Sequence, residues 1–93
     1  MKKFVIERDL PGAGNLSNEE LQAISQTSCT AISDLGKAYH WIQSFVTKDK
    51  IYCVHIAENE QVLREHAQLG NFPITSIAEV KAIIDPTTGT ASK

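Results

Sequence analysis

Ninety-three residues, 42% of them hydrophobic and 22% charged, suffice for one small core and exclude two independent ones. A net charge of −2 supplies no basic surface for phosphates, which argues against nucleic acid as a partner. Glu7, Arg8 and Asp9 interrupt any apolar leader, Cys29 and Cys53 form no CxxC spacing, and no apolar run reaches the roughly 20 residues of a spanning helix, so a cytoplasmic protein with free thiols and no membrane contact is expected.

Residues 3–9 read as a strand, broken by Pro11, Gly12 and Gly14. Ser17 and Glu20 match a capping box, in which each side chain satisfies the other residue's free backbone N–H. The helix they open carries Leu21, Ile24, Ser28, Ala31 and Leu35 at helical spacing, with Cys29 and Ile32 alongside as core, and Gly36 ends it. Residues 37–47 are strand-like, with Tyr39, Trp41 and Phe45 on one parity and Ile42 and Val46 on the other. Residues 48–50 make a polar hairpin connection into a third strand, 51–57.

Asn59 is the expected N-cap of a second helix, and Glu60 in its first turn suits the positive end of the helix dipole. Val62, Leu63, Ala67 and Leu69 give that helix its apolar face as far as Gly70, and Pro73 prevents continuation. Residues 76–84 form the last predicted strand. The small, polar residues 86–93 read as a flexible tail to a domain covering 1–85.

The order β-α-β-β-α-β predicts a ferredoxin-like α+β fold, a four-stranded antiparallel sheet with both helices on one face. Right-handed crossovers place the first and third strands in the centre and the fourth beside the first. That brings Glu7 next to the strand of Cys53 and His55, and Glu79 next to the strand of Glu7. Two helices cover one sheet face only. The other, expected to carry Tyr39, Trp41 and Phe45, is more aromatic than a solvated face, and a homodimer burying it is the expectation.

Each polar candidate has two readings. Glu7 and Glu79 on adjacent strands can share a metal or a proton, or pair with Arg8, Lys81 or a partner's base. Cys53 is a soft ligand or a small buried hydrophobe. His66 lies on or beside the apolar stripe of its helix, as a metal or acid–base group or as a donor within the helix–sheet seam. Cys53 and His55 share a parity, whereas His66 belongs to the helical side or the rim, so the three need not form one site. Neither a nucleotide-binding glycine motif nor a nucleophile elbow is present, and a hydrolase has no support.

Several short words in order carry a resemblance. They are Glu7-Arg-Asp-Leu-Pro11; Trp41, Ser44, Phe45 and Val46; Asp49-Lys-Ile-Tyr-Cys53; Arg64-Glu-His-Ala67; Gly70 and Pro73; and Ile77-Ala-Glu-Val80. Together, over about residues 3–84, they resemble the DUF4242 family, also described as SCO4226-like nickel-binding proteins. The resemblance implies a ferredoxin-like fold, a homodimer and, in at least some members, nickel binding, with no established reaction. Carried over by position, it implies Glu7, Cys53, His66 and Glu79 as metal-site residues, with Trp41 and Tyr52 as structural companions. His55 and Ile56 depart from the family's usual aromatic and acid; His55 joins the metal set as a local imidazole in place of the lost carboxylate.

The leading expectation is therefore a dimeric metal-binding or sequestering module for nickel or another divalent transition metal. The alternatives are a dimeric α+β barrel enzyme acting on a small organic substrate, and a plain interaction module. A deep, mostly apolar pocket favours an organic ligand, whereas a shallow cluster of carboxylate and imidazole favours a metal.

Overall fold

Phe4, Ile6 and Arg8 are buried along the first strand, while Val5, Glu7 and Asp9 face the other way, and this alternation decides which sheet face the helices cover. A computed structural model describes residues 1–90. Strand β1 (Lys2–Asp9) pairs antiparallel along its whole length with β3 (Lys50–Ala57), from Lys2↔Ala57 to Asp9↔Lys50. On its other side lies β4 (Ser76–Glu79), and β2 (Tyr39–Val46) lies outside β3, giving the sheet order β2-β3-β1-β4. Helices α1 (Asn18–Leu35) and α2 (Glu60–Gly70) provide the second layer, so the ferredoxin-like α+β arrangement is the observed one. No helix is long and apolar enough to cross a membrane among the described residues.

Local chemistry sets the helix ends. Glu20 N–H donates to Ser17 Oγ at 3.1 Å and Ser17 N–H to Glu20 Oε1 at 2.9 Å, the expected capping box. Gly36 closes α1 in the left-handed region at φ 65°. Asn59 Oδ1 accepts from Val62 N–H at the start of α2. At its end the left-handed residue is Asn71, φ 56°, and not Gly70, which is the last helical residue. The glycine at 70 has a different cause: a Cβ there would run into the Phe72 ring.

The core joins Phe4, Ile6, Ile51, Ala57, Val62 and Leu63 between sheet and helices. Four features differ from expectation. A β-bulge between Trp41 and Gln43 reverses the parity of β2: Tyr39 and Trp41 lie opposite Ala57 and His55 on the helix side, while Phe45 lies opposite Tyr52 on the open face. The open face thus loses two of its three predicted aromatics. Strand β4 stops at Glu79 because Glu79 pairs with Phe4, two residues from the start of β1, leaving 80–84 almost no ladder to join. Cys29, predicted as core, is exposed. Within the predicted tail Pro86–Thr90 forms a short exposed helix, α3, and 91–93 lie outside the described residues.

Candidate functional site

Arg8 stands on the buried parity of β1, Cys53 and His55 on that of β3, and all three therefore point toward the helices. Helix α1 packs chiefly on α2, and a cavity of about 510 Å³ lies between its N-terminal half and the sheet. This volume falls within the roughly 300–1,000 Å³ of small-molecule sites. The walls are largely apolar, with Leu21 and Ile24 from α1 and Trp41 from β2, while Phe72 follows α2. Arg8, Cys53, His55 and His66 are the titratable groups of the lining, hydroxyl and amide side chains such as Ser28, Ser44 and Asn71 are its other polar positions, and no carboxylate lines the cavity among the described residues.

His55 and His66 are each 1% exposed and Arg8 is 5% exposed. The two imidazole centroids are 5.4 Å apart; Tyr39 stacks on His66 at 4.7 Å and meets His55 edge-on at 5.2 Å. His66 Nε2 lies 3.2 Å from Ser28 Oγ. By contrast His66 Nδ1, both ring nitrogens of His55 and the Tyr39 hydroxyl have no partner among the described residues. Buried polar atoms left unpaired cost about 1–3 kcal/mol each, so four around one spot mark a place where stability has been given up. Arg8 donates from Nε to Cys53 Sγ at 3.4 Å and from Nη1 to the Pro73 carbonyl at 2.7 Å, with the Phe72 ring 5.4 Å from its Cζ.

Protonation follows from these surroundings. Burial pushes His55 down to about 3, and the neighbouring His66 and Arg8 push the same way. Burial also lowers His66, against the upward pull of its bond to Ser28, and Arg8 lowers it further. Both imidazoles are neutral near pH 7, each offering one N–H donor and one acceptor nitrogen. Burial drives the Tyr39 hydroxyl well above its usual range, with Arg8 opposing. The cavity accordingly carries a single positive charge, that of Arg8.

Of the predicted site residues, Cys53, His55 and His66 come together on this cavity. Glu7 and Glu79 do not. Glu7 lies on the open face, where Lys50 Nζ forms a short ion pair with Oε2 and Ser76 Oγ donates to Oε1. Glu79 is opposite Phe4, hence on the other face at the sheet edge, 3.4 Å from Lys81 Nζ. The two carboxylates cannot share an ion or a proton. Sequence reasoning missed Arg8, although its parity with Phe4 and Ile6 was the available signal: a charge in step with the buried positions of a strand needs a reason. Tyr39 and Trp41 were assigned to the wrong face by the unseen bulge.

The donor set can be compared with what nickel requires. Two imidazoles on one ion at about 2.1 Å place their ring centroids on the order of 5 Å apart, so His55 and His66 supply two neutral donors. Further donors are wanting: no cluster of three His, Cys, Asp or Glu suited to a metal occurs among the described residues. Cys53 faces the Arg8 guanidinium, which would also repel a cation. The residues do not fit a resident nickel ion.

The family model described as "Nickel responsive protein SCO4226-like" matches residues 4–80. The crystal structure of SCO4226 from Streptomyces coelicolor A3(2) superposes with a TM-score of 0.71 at 20% identity, over 88% of this chain and 99% of that one. At that identity the likeness speaks for the fold alone. No curated protein matches the sequence. With the family model spanning β1 to the end of β4, the chain belongs to the SCO4226-like nickel responsive protein family.

Proposed function

We propose that the protein is a small-molecule-binding module that holds one organic ligand between α1 and the sheet. The observation that carries this reading is the cavity of about 510 Å³, apolar along most of its wall, with the Arg8 guanidinium as the charged group of its lining among the described residues. Binding is favoured over catalysis because neither imidazole is hydrogen-bonded to Cys53, whose sulfur accepts from Arg8 instead.

The test is a ¹H–¹⁵N titration with the neutral probe 4-hydroxycinnamamide. Saturable shifts are expected at Ser28, Trp41, Cys53 and His66, and their loss in Ile24→Trp, which plugs the cavity from α1. Nickel has the family's description as its support, and calorimetry of Ni²⁺ into chelator-stripped protein decides it in the same set of measurements. The donor set leads us to expect no affinity tighter than about millimolar, some −4 kcal/mol. A tighter site that disappears in His55→Ala and His66→Ala would restore the metal reading.

A homodimer through the open face is part of the proposal. Its support is the row of half-buried Val5, Tyr52, Val54 and Ile56 beside the exposed Phe45, on the face no helix covers. Light scattering at micromolar concentration is expected to give twice the chain mass, and Val54→Lys to give the single mass. A strictly monomeric wild type ends this part. Nucleic acid and membrane are not among the proposed partners, given the net charge of −2 and the mixed charges of the surface.

A further inference from the structure

Arg8 is a buried cation whose opposite charge is missing. It is 5% exposed, yet the ion pairs of the described residues join Lys37, Lys50, Arg64 and Lys81 to carboxylates and leave Arg8 without one. Buried charges are ordinarily paired, because removing an ion from water costs several kcal/mol. The sulfur of Cys53, the Pro73 carbonyl and the Phe72 ring are what the guanidinium has instead, all of them uncharged partners or weak acceptors. Two of its five N–H donors are used in those bonds, and its side chain lines the cavity.

Resting on the ligand-site reading above, we propose that the occupant is an organic carboxylic acid whose carboxylate supplies the missing counter-charge of Arg8. Its apolar body lies along Leu21, Ile24 and Trp41, which make the remaining wall largely hydrocarbon and aromatic. A phosphate suits the site less well. One guanidinium balances one negative charge, no lysine lines the cavity among the described residues, and the N-termini of α1 and α2 are already capped by Ser17 with Glu20 and by Asn59. A bare cation fits worst, because it would meet Arg8 with like charge.

The experiment compares 4-hydroxycinnamate with its amide, the same body without the charge, by ¹H–¹⁵N titration of the wild type, Arg8→Gln, Arg8→Lys and Ile24→Trp. The acid is expected to bind the wild type about tenfold tighter than the amide, or more, as a charge-assisted pair adds over a neutral one. Arg8→Gln is expected to abolish that preference, and Arg8→Lys to retain part of it. Ile24→Trp is expected to exclude both probes. Equal binding of acid and amide, or a preference that survives in Arg8→Gln, overturns the carboxylate proposal and leaves the ligand site standing. Acid binding undiminished in Ile24→Trp places the anion elsewhere and overturns it also. Saturable shifts from neither probe in the wild type overturn both the proposal and the site on which it rests. Should Arg8→Gln lose its dispersed spectrum, Arg8→Lys decides: an acid preference smaller than the wild type's supports the proposal, and a preference equal to the wild type's overturns it.

Discussion

His55→Leu is expected to flatten the loss of stability that the wild type suffers on acidification, and to leave the variant the more stable of the two at pH 5. In the unfolded chain an imidazole titrates near 6.5, and in the fold His55 is held down to about 3 by burial, with His66 and Arg8 adding to it. Between those values the unfolded chain binds the proton and the folded chain does not. The stability contribution is therefore fully present above about 6.5 and is lost as the pH falls toward about 3, with a span on the order of 5 kcal/mol. At pH 5 roughly 2 kcal/mol of it has gone. Leucine is close to histidine in volume and has no nitrogen, so it also removes two unpartnered buried atoms, each costing about 1–3 kcal/mol. Urea unfolding at pH 5 and pH 7.5 measures both effects. Parallel slopes for wild type and His55→Leu would mean that the imidazole is partnered in solution and that the cavity is not the place where stability is sacrificed.

That the cavity coincides with unpaired buried polar atoms explains what the sequence could and could not disclose. The architecture follows from local signals that all agree: the alternation of Phe4 and Ile6 with Val5 and Glu7, the Ser17–Glu20 box, Gly36, and the Asn59 cap. These act over a few residues and need no tertiary knowledge. The site depends on two facts that are not local. One is the bulge between Trp41 and Gln43, which carries Tyr39 and Trp41 to the helix side; a strict period of two cannot register one extra residue. The other is the distance of α1 from the sheet, which decides whether Ser28, His55 and His66 enclose a packed seam or a cavity. Shared parity correctly placed Cys53 with His55, and strand order correctly placed Glu7 beside β3. Adjacency along the ladder was then mistaken for adjacency in space: Glu7 lies opposite Tyr52 and so on the face away from Cys53. The nickel set assumed one site and the sheet separates it into two faces.

The same distinction between pattern and burial gives the largest mutational effect expected in α2. Leu63 and Leu69 both belong to the apolar set read from the sequence, yet Leu63 is 0% exposed and Leu69 is 53% exposed. Leu63→Ala removes three heavy atoms from the core around Ile6 and Ile51 and is expected to cost about 2–5 kcal/mol. For a chain of this length that is a large share of the roughly 5–15 kcal/mol available, and a fall of about 10–25 °C in Tm. Leu69→Ala is expected to stay within about 0.5 kcal/mol. Leu63 lies one turn before His66, so its loss should also loosen the stacking of His66 on Tyr39 and weaken binding of a cavity ligand at temperatures where the variant remains folded. Calorimetric melting and the ligand titration, run on the two variants side by side, separate the outcomes. If Leu69→Ala costs as much as Leu63→Ala, something covers Leu69 in solution, and α2 has a second buried face that must be found before the cavity is credited with the function.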